Sequence, residues 1–295
     1  MVHGLANAGV RVTGTYRRTP PAEAVARASF ALIEQDLARL TALPPCDVLV
    51  HTAATSRVTP QLPRDSPSLG DFDQDTFERD TFEHDNVVAT ARLLDAAAAA
   101  GCRRVVLLSS VSVYGNITAN EVDENTPLID PDPYGASKRR AEILLEERSG
   151  EMAGLAIRLP AVVGYGADRH WLAGVGQRLM RREPVHVYHP AAPFNNAIHV
   201  TSLVEFVTSA LALDREWQEG VDRVVVGAAG SITVQGAVER LARGLGVEPI
   251  IVPAAPAKSP FVLSSRGAID RWGYRPEDIG SILDRYAHDL RAQSS

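Results

Sequence analysis

The run Val105-Val-Leu-Leu108 constrains the fold of this chain more than any other stretch. It follows a helical pattern from Asp85 to Ala100 that stops at Gly101, and it leads straight into the hydroxyl pair Ser109 and Ser110. Four apolar residues, two of them β-branched, have the length and branching of a strand buried on both faces, as in parallel sheets. Upstream, Cys46 to Ala54 (CDVLVHTAA) reads as a second buried strand, so strand, helix and strand make a βαβ unit. Polar atoms at the carboxyl end of such a strand lie where open α/β sheets bind ligands. The expected class is therefore α/β with a parallel sheet.

A second feature sits just downstream. Tyr134 and Lys138 are four apart at the head of an amphipathic helix, so both project from one face about one turn apart. A nearby ammonium favours the phenolate and would bring a tyrosine, which ordinarily titrates near pH ~10, towards use as a base at neutrality. The chain has two lysines, Lys138 and Lys258, against 28 arginines and seven tyrosines. Scattered without preference, they would give a Tyr-x-x-x-Lys match roughly one time in twenty. An incidental pair on an exposed helix is the competing reading.

The pairing of SSVSVYG (109–115) with YGASK (134–138) resembles the extended short-chain dehydrogenase/reductase superfamily, the NAD(P)-dependent epimerase/dehydratase group. The resemblance runs over almost the whole chain. It implies a Rossmann-like doubly wound parallel sheet in residues 1–164 and a small C-terminal substrate lobe in 165–295 that sends strands and helices back to the first domain. It also implies Ser110 as the catalytic hydroxyl, Tyr134 as the general acid/base, and Lys138 as the residue that lowers the tyrosine's pKa and holds the nicotinamide ribose. Ser109, Val111 and Ser112 fall beside them, Ser109 on the cofactor side and Val111 and Ser112 on the substrate side. Dehydratases of the group usually carry an acidic residue where this chain has Val111, which argues against dehydration.

The start of the chain departs from the family pattern. Residues 1–18 read as the tail of a helix, a stop at Gly9 and a strand Val10–Tyr16, with no strand and no glycine-rich turn before them. That turn would cradle a pyrophosphate on backbone N–H groups, and the missing strand would be the central one of the sheet. Either the start was placed some fifteen residues late, or the chain is a degenerate relative that binds cofactor poorly. Arg17 and Arg18 stand where an arginine would accommodate the 2′-phosphate of NADP, so the cofactor reading is NADP or NAD with a lean towards NADP. A solvated basic turn is the plainer account of the two arginines. By resemblance, Asp36-Leu37 is the adenine-contacting pair, and Thr52, Ala53 and Ala54 let backbone approach the dinucleotide. His51 would pack behind the cofactor, Asn86 would lie beside the nicotinamide, and Pro160 and Val163 would contact the nicotinamide end.

Residues 56–82 read as a long polar loop with an acidic stretch from Asp71 to Glu83, a lid or a solvated helix start. In the expected substrate lobe, Arg169 is a cationic candidate for a phosphate, and Asn195 and Asn196 are substrate contacts. Ala161 replaces an asparagine that commonly binds the substrate in sugar-nucleotide enzymes, which weakens the case for a diphosphate sugar.

The rest of the composition narrows the classes. With 295 residues, 45% hydrophobic and a net charge of −6, the chain has a globular composition and no basic footprint for nucleic acid. No apolar run reaches the ~20 residues of a membrane span. Cys46 and Cys102 are isolated, without metal-ligand spacing, and fit a reducing cytoplasm; no metal is expected. The expected partner is a small-molecule substrate, with a homodimer implied by the resemblance. The expected function is NAD(P)-dependent oxidoreduction or epimerisation of a nucleotide sugar or related hydroxyl or keto compound. The alternative is a non-catalytic binding or regulatory protein on the same scaffold.

Overall fold

The computed structural model describes residues 1–17, 30–56, 74–168, 170–213, 217–255 and 259–294. At its centre lies β4 (Arg104–Ser110), whose Val105, Val106 and Leu107 are wholly buried. Burying side chains of this size contributes about 1.5–3 kcal/mol each, which is why the apolar run sits in the middle of a sheet. On one side β4 pairs in parallel with β3 (Val48–His51), on the other with β6 (Ala153–Leu159), and β6 pairs in parallel with β11 (Val221–Val225). The order is β11-β6-β4-β3, a parallel sheet of the expected α/β class.

A second, two-stranded parallel sheet holds β1 (Thr13–Tyr16) and β2 (Ala31–Glu34). Among the described residues β1 pairs only with β2, and β3 only with β4. The sheet is therefore broken between β1 and β3, the place where the resemblance puts a first, central strand. The carboxyl ends of β1, β2 and β3 all open into one cleft, so the two sheets run in the same direction on either side of the break. A short helix, α1 (Val2–Asn7), precedes β1 and places Leu5 in the core shared with Val106, Val50 and Val12.

Helices cover the sheet. The segment expected as a loop up to residue 82 is helical from Gln74: α2 (Gln74–Phe82) runs through a π-helical turn, Glu83–Val88, into α3 (Ala89–Ala99). Asp80 and Glu83 are exposed there, so a charged composition concealed the helix. Residues 57–73, the remainder of that expected loop, lie outside the described residues. Strand β4 runs into a single 3-10 turn, Val111–Tyr114, and a short strand, β5 (Glu121–Val122). Helix α4 (Pro133–Glu146) begins with Pro133 in its first turn and with the Asp132 carboxylate accepting from Gly135 N at 2.7 Å, a side-chain cap at the helix start.

Beyond β6 the chain builds a second core. Strand β7 (Ala161–Val163), α5 (Trp171–Met180), β8 (Val185–Val187) and β9 (Pro193–Phe194) join it, followed by β10 (Ala197–His199). Helix α6 (Val200–Ala212) turns back to the main sheet, where Leu203, Phe206 and Val207 pack on Leu155 and Ile157. After β11 come β12 (Ile232–Thr233), α7 (Val234–Leu245), β13 (Ile251–Pro253), β14 (Val262–Leu263), α8 (Arg266–Trp272) and α9 (Ile279–Ser294). Val238 and Leu241 of α7 meet Leu283 and Tyr286 of α9 and Val163 of β7 in this second core. No helix among the described residues is long and apolar enough to cross a membrane.

Candidate active site

The carboxyl end of β4 and the first turns of α4 meet because one residue has no side chain. A Cβ at Gly135 would stand 2.1 Å from the Ser112 carbonyl oxygen, so glycine alone lets the helix rest on the 3-10 turn. This contact brings Tyr134 beside Ser110, close enough for the hydroxyl to favour the phenolate. Ser110 Oγ also accepts from Ser112 N at 3.1 Å, which fixes the hydroxyl at the strand tip. Phe82, from the end of α2, lies against the Tyr134 ring with centroids 6.0 Å apart. Phe82 was not foreseen, because its segment read as loop.

Lys138 is buried at 4% exposure, one turn along α4. Burial pushes its ammonium down to about 8, against a pull upward from the Glu142 carboxylate. The expectation that Lys138 lowers the tyrosine's pKa meets a different balance here. Burial raises the Tyr134 phenol, the Ser110 hydroxyl opposes that rise, and Asp132 adds to it. The neighbour that favours the phenolate in this balance is Ser110.

Behind these side chains lies a network that the sequence reading missed. Glu142, two turns beyond Tyr134, is fully buried and accepts from Arg158 Nε at 3.1 Å and Arg158 Nη2 at 2.9 Å. It also accepts the Ser109 hydroxyl at 2.6 Å. Arg158 in turn lies over the Tyr114 ring, 5.0 Å from its centroid, and donates to its hydroxyl at 3.0 Å. Ser109, expected on the cofactor side, therefore spends its hydroxyl inside the fold. The signal was present: a lone arginine within the apolar strand LAIRL needs a buried anion.

Asn86 is likewise committed. It is 2% exposed, accepts from Thr55 N at 2.7 Å, and donates to Thr55 O at 2.9 Å and Ser137 Oγ at 2.9 Å. It ties the loop after β3 to α4 rather than offering its amide to a ligand. His51 is buried and bonded to Thr90 Oγ1 at 2.8 Å. Because Thr90 gives its own proton to Asn86 O, His51 Nε2 is the donor. Burial first and the charge of Lys138 second push His51 down to about 3, so it stays neutral, in the packing role expected of it.

A cleft of about 250 Å³ joins the strand ends across the break. Thr15, Tyr16, Arg17, Asp36, Leu37, Ala53, Ala54, Thr55 and Asp85 are among the residues lining it. Thr52 is exposed beside it. Arg17 is held on Asp85 by contacts of 2.8 and 3.2 Å. Burial alone would raise the Asp85 carboxyl, but hydrogen bonds from Arg17, Thr55 and His84 hold it well below the usual carboxylate range. Asp36 accepts from Ala38 N at 3.1 Å and turns the chain at the cleft wall. Arg18 and Arg169 lie outside the described residues.

The residues present fit the two ends of a dinucleotide. The Asp36-Leu37 cleft suits an adenosine, and the buried Ser110, Tyr134 and Lys138 suit a nicotinamide end. The glycine-rich pyrophosphate cradle has no counterpart among the described residues. Pro160 is half-buried, and the Val163 side chain is fully buried in the second core, which leaves Val163 only its backbone for a ligand.

Beside the second core a smaller cleft of about 200 Å³ is walled by Trp171, Tyr188, Phe194 and Phe261, with Asn196 on its edge. Asn196 donates to Phe261 O at 3.2 Å, and its buried Oδ1 has no partner among the described residues. Asn195 is not on this cleft: its amide accepts from Leu263 N and donates to Leu263 O, both at 2.8 Å, and so secures β14. Val111 and Ser112 are half-buried, and Val111 packs in one cluster with Phe261 of the smaller cleft. Among the described residues no cluster of His, Cys, Asp or Glu could hold a metal ion.

A model of the NAD dependent epimerase/dehydratase family matches residues 69–227, more than half of the chain. The chain belongs to this family. The UDP-glucose 4-epimerase of Streptomyces lividans is 27% identical over 224 residues, which cover 68% of this chain and 67% of that protein. Among solved structures, the UDP-Glc/GlcNAc 4-epimerase of Campylobacter jejuni superposes with a TM-score of 0.80 at 18% identity, over 98% of this chain and 95% of its own. The UDP-glucuronic acid 4-epimerase of Bacillus cereus, in complex with NAD, gives 0.78 at 16% identity over 99% and 93%. Both share the epimerase/dehydratase fold with this chain, and the extended short-chain dehydrogenase/reductase resemblance is correct.

Proposed function

We propose that this chain is an NAD(P)-dependent epimerase or reductase whose proton passes through Tyr134, on a nucleotide sugar or a related hydroxyl or keto compound. The observation that carries the reading is the meeting of Ser110, Tyr134 and Lys138 at the carboxyl end of β4, the only lysine among the described residues being one of the three. A phenol beside a hydroxyl offers one reacting oxygen both a proton route and a second donor. The cofactor, when bound, supplies the hydride acceptor. Lys138 would hold the ribose beside it, and Asp36, Leu37 and Ala53 the adenosine.

The aromatic walls of the smaller cleft suit a planar base such as uracil. UDP-sugars are therefore the substrates to try first, as the S. lividans relative suggests. For the cofactor, NADP rests on Arg17, whose guanidinium is already shared with Asp85, while the B. cereus structure holds NAD. Both dinucleotides belong in the test. A binding protein on the same scaffold is the other reading.

Calorimetric titration of the folded chain with NAD, NADH, NADP and NADPH comes first, then chromatography of UDP-glucose, UDP-glucuronic acid and UDP-N-acetylglucosamine incubated with it. Saturable binding and appearance of the C4 epimer are expected, with conversion falling about 10²–10⁴-fold in Tyr134→Phe. Conversion by Tyr134→Phe at the wild-type rate would end the proposed proton route. No binding of any dinucleotide would decide for the scaffold.

A further inference from the structure

The two cysteines stand 56 residues apart in sequence, yet they meet. Strands β3 and β4 pair in parallel with Val48 opposite Arg104, and the ladder continues upstream, with Arg103 N donating to Asp47 O at 3.5 Å. Two residues before each start, Cys46 faces Cys102. Both pack in the cluster formed by Leu94, Val105 and Leu145, and each thiol feels the other's charge. Neighbouring strands lie about 4.8 Å apart, inside the roughly 4.4–6.8 Å window of Cα separations that a disulfide spans.

The two thiols are unequal. Cys102 is 1% exposed and directs its thiol to the Arg104 carbonyl oxygen at 3.3 Å, whereas Cys46 is half-buried and reachable. We propose that Cys46 and Cys102 form a reversible disulfide, a thiol-modification site at the amino ends of β3 and β4, on the far side of the sheet from Ser110 and Tyr134.

The chemistry balances with a small disulfide such as oxidised glutathione. The Cys46 thiolate attacks one glutathione sulfur, its S–S bond breaks, and the first glutathione leaves as a thiolate that takes the proton given up by Cys46. The Cys102 thiolate then attacks Cys46 Sγ, the mixed disulfide breaks, and the second glutathione leaves with the proton from Cys102. The protein loses two electrons and two protons, and the oxidant becomes two thiols. Burial first, then Cys102 and then Asp47, push the Cys46 thiol up to about 11, so little thiolate is present at neutrality and the first step is slow. The segment the bond would close carries Thr55, Asp85 and Asn86.

The test is oxidation of the full chain with oxidised glutathione, alkylation of remaining thiols, intact-mass measurement and a non-reducing peptide map. Expected are a monomer two protons lighter, no alkylated cysteine, one peptide pair joined through Cys46 and Cys102, and a thermal midpoint raised by about 5 °C or more, all reversed by dithiothreitol. Cys102→Ser should stop at a glutathione adduct on Cys46 with no rise in midpoint. Cys46→Ser should stay unmodified. Two alkylated cysteines after prolonged oxidation, a stable glutathione adduct in the wild type, or a disulfide-linked dimer would each overturn the proposal. Because the site lies away from the candidate active site and none of these readouts uses a substrate, the result is independent of the proposed function.

Discussion

The Glu142 carboxylate receives the Arg158 guanidinium through two hydrogen bonds, of 3.1 and 2.9 Å, with both residues almost completely buried. The pair joins α4, which carries Tyr134 and Lys138, to β6, and through Ser109 it reaches the tip of β4. The helix and the two strands that make the candidate site are thus bolted together behind it. A buried ion pair adds little over an apolar pair of the same shape, but breaking it leaves a charge in the core, at a cost of about 3–5 kcal/mol.

Glu142→Gln should therefore lower the unfolding free energy by about 3–5 kcal/mol. Glu142→Leu with Arg158→Met should recover much of that. The pH dependence follows from sign. Burial alone would raise the Glu142 carboxyl, yet hydrogen bonding and charge from Arg158, with Ser109 and Arg139, bring it below its ordinary value. The folded state then binds fewer protons than the unfolded chain. The pair's contribution is present above pH ~4.3 and is lost as the pH falls through the depressed folded value. Urea denaturation at pH 7 and pH 4 should show the wild type losing more stability in acid than Glu142→Gln. Equal losses would contradict the assignment.

Lys138 has the opposite character. An ammonium pushed down to about 8, against an ordinary ~10.4, is a destabilised charge below pH 8, and the penalty disappears as the pH rises through 8 towards 10.4. Lys138→Met should therefore stabilise the fold at pH 7, by up to about 3 kcal/mol, and the advantage should vanish near pH 10. Glu142, which favours the ammonium, is the charged neighbour that opposes burial in this balance. A variant that is more stable yet inactive would mark Lys138 as a residue retained for chemistry rather than folding. A less stable variant would show that the ammonium is better satisfied than its burial indicates.

Gly135→Ala tests the contact that assembles the site. The new methyl would press on the Ser112 carbonyl oxygen, a backbone atom that cannot swing aside. Overpacking of this kind costs about 1–3 kcal/mol, and the strain falls on the approach of Tyr134 to Ser110. Conversion should drop by more than the stability loss explains. An unchanged melting temperature would mean that the helix start has slack.

Much of this site was legible in the sequence, and the reasons differ from residue to residue. Val105–Leu108 announced a buried strand because nothing else tolerates such a run beside Gly101. Ser110, Tyr134 and Lys138 announced chemistry because lysine is so scarce in this chain. Asn86, Asn195 and Ser109 looked like ligand contacts but make their hydrogen bonds within the fold, a difference set by partners distant in sequence. Helix α2 was hidden because a charged exposed face looks like a polar loop. The break between β1 and β3 was foreseen from the missing strand, but the clefts on either side of the site emerge only when the strand ends converge.

Asn86 offers the sharpest test of a residue that holds the site without touching a substrate. Its carbonyl accepts from Thr55 N and its amide donates to Thr55 O and Ser137 Oγ, so it needs a donor and an acceptor at once. Asn86→Ala removes both and leaves the Thr55 backbone N–H and C=O unpaired, for a loss of about 1–3 kcal/mol. Asn86→Asp keeps the acceptor but, when ionised, turns an oxygen towards Thr55 O. Burial raises such a carboxyl, so the folded state takes up a proton and the neutral acid can donate again. The deficit of Asn86→Asp relative to wild type should therefore narrow from pH 7 to pH 5, while that of Asn86→Ala should stay constant over the same range. If urea midpoints show both variants moving together, the amide is not the clamp that its hydrogen bonds describe.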